Sequence, residues 1–106
     1  MKSINYQDYL LESLKDAEEA VGYLNAALEG GDVKVFLVAL RNVVQAQGGV
    51  AKLAEKVHEG RSRTSLYKAL SETGNPYLKN TNEILAAMGM HLAVVASQRR
   101  VRRVRS

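Results

Sequence analysis

Apolar positions recur at helical spacing along almost the whole chain, and polar turn residues divide the pattern into short segments. Leu10, Leu11 and Leu14 share one side of a first short helix that Asn5 or a neighbour can cap. Asp16 reads as the N-cap of the next helix, with Glu19 at the capping-box position three residues later. In that helix Ala17, Ala20, Val21, Leu24, Ala27 and Leu28 recur at i, i+3, i+4, i+7, i+10 and i+11, and Gly30-Gly31 closes it. Asp32 caps a third helix, with an inner stripe of Val33, Phe36, Leu37, Leu40 and Val44 and an end at Gly48-Gly49. Val50, Leu53, Ala54 and Val57 repeat the spacing in a short fourth helix.

After the polar break His58-Glu59-Gly60-Arg61, Ser62 suits the N-cap of a fifth helix whose apolar side is Leu66, Ala69 and Leu70. Thr73-Gly74-Asn75-Pro76 has the composition of a turn. A sixth helix holds Ile84, Leu85 and Met88 and closes at Gly89, and it starts either at Asn80, with Glu83 as capping partner, or nearer Leu78. Residues 90–96, Met-His-Leu-Ala-Val-Val-Ala, read either as a short strand or as a packed extended tail. A lone strand leaves its edges unpaired and needs a partner chain. The expectation is an all-α, single-domain bundle of five or six helices over residues 1–98, with at most one short C-terminal strand.

Charge changes the picture. The formal net charge of the 106-residue chain is +4, but residues 99–106 alone hold Arg99, Arg100, Arg102, Arg103 and Arg105. Residues 1–35 carry three lysines against seven acids, a net of −4, and residues 36–98 carry seven basic residues against four acids, a net of +3. An acidic head, a mildly basic body and a strongly basic tail suggest two kinds of partner, at least one of them a polyanion. The tail lacks core-forming content, so disorder is expected for it when free. It reads as an arm along DNA phosphates, as a contact for RNA or a protein partner, or as a solvated end.

Composition removes several classes. Without cysteine there is no disulfide framework, thiolate zinc site or cysteine nucleophile, which fits a reducing cytosol. No apolar run is long enough for a membrane span, and the N-terminus lacks a signal-peptide core. His58 and His91 stand far apart in sequence with no companion at metal-ligand spacing; His58 suits a solvated turn, and His91 is expected to pack on the last element. Glu18 and Glu19 fall at a helix start, where they offset the dipole. The glycine pairs follow no strand and form no phosphate-cradling motif. No catalytic set, metal or cofactor is indicated, and the expectation is a non-enzyme.

The most informative stretch is 50–88. With Leu66 set toward the core, Thr64 and Lys68 lie at about 160° and 200° around the helix. Ser71 also faces out, Ser65 and Tyr67 lie on the flanks, and Arg63 sits in the first turn. An outer face of Arg, Thr, Ser, Tyr and Lys suits a helix whose N-terminal half enters the major groove, where arginine forks to guanine and hydroxyls bond base edges or backbone. A solvated amphipathic helix has the same pattern. The DNA-contact set read from this face is Arg61, Ser62, Arg63, Thr64, Ser65, Tyr67 and Lys68, with Asn75 in the following turn.

Leu53-Ala54-Glu55-Lys56-Val57 and Ser62-Arg63-Thr64-Ser65-Leu66-Tyr67-Lys68-Ala69-Leu70 together resemble the helix-turn-helix of lambda-repressor-like (Cro/Xre-type) regulators, placed here at about 50–71. More narrowly, residues 5–96 resemble the addiction-module antidote family, small HigA-like antitoxins. Tyr23-Leu24-Asn25-Ala26-Ala27-Leu28 combined with Ser65-Leu66-Tyr67-Lys68-Ala69-Leu70-Ser71 carries that likeness. The sequence departs from the family pattern in a wider turn, filled by His58-Glu59-Gly60-Arg61, and at Tyr77, Thr81 and Asn82, where small polar or apolar residues are usual. The basic tail has no counterpart in the pattern.

The resemblance implies a homodimer that binds a pseudo-palindromic operator in double-stranded DNA, represses its own two-gene operon, and blocks a cognate RelE/ParE-type toxin. That places the protein in the cytoplasm, associated with the nucleoid. The −4 head, with Glu12, Asp16 and Glu19, suits a basic toxin, and the +3 body suits DNA. The last helix with residues 90–96, including Leu92 and Val94, is the expected dimer surface. The rival readings are a stand-alone transcriptional regulator and a toxin-neutralising interaction module that does not read DNA.

Overall fold

The computed structural model of the chain describes residues 5–56, 66, 68, 70 and 78–96. Among these residues the fold is all-helical: α1 (Tyr6–Ser13), α2 (Ala17–Glu29), α3 (Val33–Ala46), α4 (Gly49–Lys56) and α5 (Leu78–Ala87). Leu66 and Lys68 lie in a further helical stretch between α4 and α5. The expected cap at Ser62, the turn at 73–76, and Val57 and Ala69 lie outside the described residues.

The first three helices start where a short polar side chain can satisfy free amides. Asn5, Asp16 and Asp32 all have extended backbone at the N-cap. Their side-chain oxygens accept from the amides of Gln7 at 2.7 Å, Glu19 at 3.0 Å and Lys34 at 2.9 Å. The last helix ends in a complete Schellman turn. Gly89 has φ +82, its amide donates to the Ala86 carbonyl at 3.0 Å, and the Met90 amide donates to the Leu85 carbonyl at 2.9 Å. Of the two starts open to α5, the structure has Leu78.

The centre of the molecule is α3, against which α1, α2 and α4 all pack. Phe36, Leu37, Ala39, Leu40, Val43 and Val44 are buried on it, so its inner face is wider than the single predicted stripe. Ala39 and Val43 are recruited because neighbours cover α3 from several sides. Leu14, Ala20 and Leu24 join the same core, as do Leu53, Leu66, Leu70, Ile84 and Leu85. Each fully buried leucine contributes about 1.5–3 kcal/mol of transfer free energy.

Polar ties cross this core. Gln47, the C-cap of α3, donates from Nε2 to the carbonyls of Leu14 at 3.0 Å and Lys15 at 3.5 Å. It thus serves carbonyls that the end of α1 leaves free. Asn42 donates from Nδ2 to the Tyr23 hydroxyl at 2.9 Å and accepts from Gln7 Nε2 at 3.0 Å, joining α1, α2 and α3.

Two expectations need correction, and one left open is decided. Val21, Leu28 and Val33, assigned to inner stripes, are 42%, 45% and 55% exposed, and Ala17 is exposed as well. They lie at the margins of stripes whose centres alone meet another helix. Of the two readings of residues 90–96 the single chain has the packed tail: no strand forms there, and Met90 and Leu92 are half-buried against the core. His91 is exposed rather than packed on the last element. Thr81, one of the departures from the family pattern, is buried in α5.

Candidate functional site

The candidate DNA-reading region is built on α3 and α4. Leu53 anchors α4 in the core, and Lys52 and Lys56, one turn apart, share an exposed face of that helix. In the next helical stretch Leu66 and Leu70 are buried while Lys68, between them, is exposed. The Leu70 amide donates to the Leu66 carbonyl at 3.0 Å, the i to i−4 bond of an α-helix. This is the orientation expected from the 100° wheel: leucines inward, lysine outward.

Arg41 of α3 fixes the far end of that stretch. Its Nη1 donates to the Leu70 carbonyl at 2.9 Å across a part-buried gap. Arg41 was not among the expected site residues. Its signal in the sequence is a guanidinium inside the apolar run Phe36-Leu37-Val38-Ala39-Leu40-Arg41-Asn42-Val43-Val44, where a long cation needs a polar destination.

Of the expected contact set the structure therefore places Lys68, as an exposed side chain on a helix whose apolar side is buried. Arg61, Ser62, Arg63, Thr64, Ser65, Tyr67 and Asn75 lie outside the described residues, as do Arg99, Arg100, Arg102, Arg103 and Arg105 of the tail.

A second surface carries the opposite charge. Asp8, Glu12, Asp16, Glu18, Glu19, Glu29 and Asp32 are all exposed on α1, α2 and the turn that follows. Three of them also have local partners. Glu12 Oε1 pairs with Lys15 Nζ at 3.0 Å, and the Asp16 and Asp32 carboxylates cap α2 and α3. Glu18 and Glu19 stand in the first turn of α2, where the helix dipole favours them. Acidic and basic surfaces thus come from successive parts of one small fold. Among the described residues no cluster of acids and histidines is arranged to hold a metal ion, and no helix is long and apolar enough to cross a membrane.

Comparison with known proteins supports the resemblance to the antidote family. An uncharacterized protein of Haemophilus influenzae (strain ATCC 51907 / DSM 11121 / KW20 / Rd) is 33% identical over 87 residues, 82% of this chain and 87% of that protein. No solved structure matches the chain. Residues 2–96 match the family described as probable addiction module antidote protein, a span that includes every helix described above and stops short of the arginine-rich tail. The chain belongs to the addiction-module antidote family.

Proposed function

We propose that this protein is the antitoxin of a type II toxin–antitoxin module that neutralises a RelE/ParE-type toxin and, as a homodimer, binds operator DNA to repress its own operon. Membership of the antidote family over residues 2–96 is the observation that carries the antitoxin role. The DNA-reading half is supported by the burial of Leu66 and Leu70 with Lys68 turned outward, and by the exposed Lys52 and Lys56. Arg63 and Lys68 would reach guanine edges or phosphates, Thr64 and Ser65 base edges or backbone, and Arg61, Ser62, Tyr67 and Asn75 the flanking phosphates and sugars. The arginines of the tail would add sequence-independent, salt-dependent affinity.

Toxin neutralisation falls to the acidic face of α1 and α2. A basic toxin would be steered to it by charge and held by contacts that exclude water. In this scheme the protein acts in the cytoplasm at its operator, and it needs no cofactor and performs no chemistry of its own.

The test is binding to the DNA immediately upstream of its own gene, with random duplex as competitor, at two salt concentrations. A specific-to-random ratio of about 10³ or more, the low end for sequence-specific binders, is expected. A ratio near one with a steep salt slope would leave the tail as the binding element and remove the recognition-helix assignment. Co-expression with the small reading frame beside the gene tests the other half: the pair should copurify, and growth arrest by the toxin alone should be relieved.

A further inference from the structure

Gly22 stands in the middle of α2, exposed, with no turn or cap to serve. A methyl group placed there would meet no atom within 4 Å among the described residues outside its own stretch of helix. Glycine inside a helix is nonetheless less favourable than alanine, by an amount that lowers Tm about 2–8 °C in a domain of this size. The packing of the described chain gives no reason for the missing side chain. Bare backbone on a helix surface suits the close approach of another molecule.

Gly22 is also a saddle between two hollows. On one side of α2 a groove of about 490 Å³ lies against α3 and residues 90–95, and Val21, Leu24, Leu28, Phe36 and Leu92 form its apolar lining. Val21 and Leu28 are exposed at its mouth. On the other side a depression of about 430 Å³ between α1 and α2 is lined by Leu10, Ser13, Glu18, Glu19 and Tyr23. Gly22 lines this depression, and Val21 beside it lines the groove. At 100° per residue Gly22 falls between Glu19 on one flank and Val21 on the other, so the crest of the helix is lowest there.

The charges around these hollows have one sign. Glu18 and Glu19 line the depression and Glu29 lines the groove, with His91 the one imidazole. No lysine or arginine lines either among the described residues. Lys15, the cation nearest to Glu18 in sequence, pairs with Glu12 at 3.0 Å.

We infer that the toxin docks across α2 at Gly22, through a segment with lysine or arginine at one end and large apolar side chains at the other. Its basic end meets Glu18 and Glu19 in the depression, its backbone passes over Gly22, and its apolar end enters the groove over Val21 and Leu28, with Glu29 on the rim. This assignment rests on the antitoxin reading above and gives the toxin a place and an orientation on the acidic face. Charge decides the occupant. A second copy laid on this face would set Glu18, Glu19 and Glu29 of one chain against those of the other, and nucleic acid would meet the same carboxylates with its phosphates.

The test uses the full chain and the product of the small reading frame beside its gene, recovered from the copurified complex. Gly22→Gln fills the saddle with a better helix former, so Tm should be no lower than that of the natural chain. The dissociation constant for the toxin should nevertheless rise about tenfold or more. Binding lost without stability lost separates a docking role from a structural one. Leu28→Gln, at an exposed side chain of the groove, should also weaken toxin binding, with helical circular dichroism and operator binding unchanged. Hydrogen exchange in the complex should protect a segment of the toxin in which basic and apolar residues adjoin. Natural toxin affinity in either variant, or protection of an acidic toxin segment, would overturn the assignment and leave the antitoxin reading in place. A natural chain that binds no toxin would remove the antitoxin reading and this assignment with it. Loss of the dimer in Gly22→Gln on sedimentation, with toxin affinity unchanged, would give the face to a second copy and overturn the assignment as well.

Discussion

Replacing Arg41 by methionine separates the positioning of the recognition stretch from its chemistry. The guanidinium donates to the Leu70 carbonyl at 2.9 Å from a part-buried position on α3. Methionine keeps an apolar stem of similar reach, so packing is largely retained while the donor is removed. A hydrogen bond from a charged donor is worth about 1.5–3 kcal/mol, and the partial exposure of Arg41 places this one near the low end. Arg41 has further interactions, so about 1.5 kcal/mol is a floor for the loss. For a domain of this size each kcal/mol moves Tm by roughly 4–8 °C, which puts the expected drop at about 6–12 °C. The loss should also be local. The amide of Leu70 should exchange faster than those of α2, and operator affinity should fall more than toxin affinity, because α1 and α2 do not depend on this bond. Thermal circular dichroism, hydrogen exchange and the two binding assays check this. A Tm within about 2 °C of the natural protein, with unchanged exchange at Leu70, would refute the claim that Arg41 positions the stretch.

Three further outcomes are expected. Asp16→Ala should cost about 1 kcal/mol by removing the acceptor for the Glu19 amide, seen as a Tm fall of roughly 4–8 °C; charge reversal on the toxin-facing surface is therefore better made at Glu29, which caps no helix and lies outside the first turn of α2, and should weaken toxin binding at low salt while leaving Tm nearly unchanged. Leu40→Ala, at a side chain 1% exposed in the centre of α3, should cost about 2–5 kcal/mol in denaturant unfolding, a large fraction of the stability of an ordinary domain. Deleting residues 99–106 should lower non-specific DNA affinity and flatten its dependence on salt, with the specific-to-random ratio raised or unchanged; an unaltered slope would reject the tail as a phosphate-binding arm.

The sequence by itself determined the helices and much of the core, because both follow from local rules. Asn5, Asp16 and Asp32 mark helix starts through bonds that span two or three residues, and Gly89 marks an end through its positive φ. Leu24, Leu37, Leu40, Leu53, Leu66 and Leu70 sit at the centres of their apolar stripes and are buried wherever a neighbouring helix falls. The outward turn of Lys68 follows from the same wheel.

Only the tertiary structure decided the margins and the cross-links. Whether Val21, Leu28 and Val33 are covered depends on how far α2, α3 and α5 diverge, and periodicity along one helix holds no information about its neighbour's width. The bonds from Arg41 to Leu70, from Asn42 to Tyr23 and from Gln47 to Leu14 span 29, 19 and 33 residues, so their partners come together only once the chain is packed. Residues 90–96 show the same division most plainly. Strand propensity was legible in Leu92, Val94 and Val95, but a strand exists only with a second one beside it, and the single chain supplies none among its described residues.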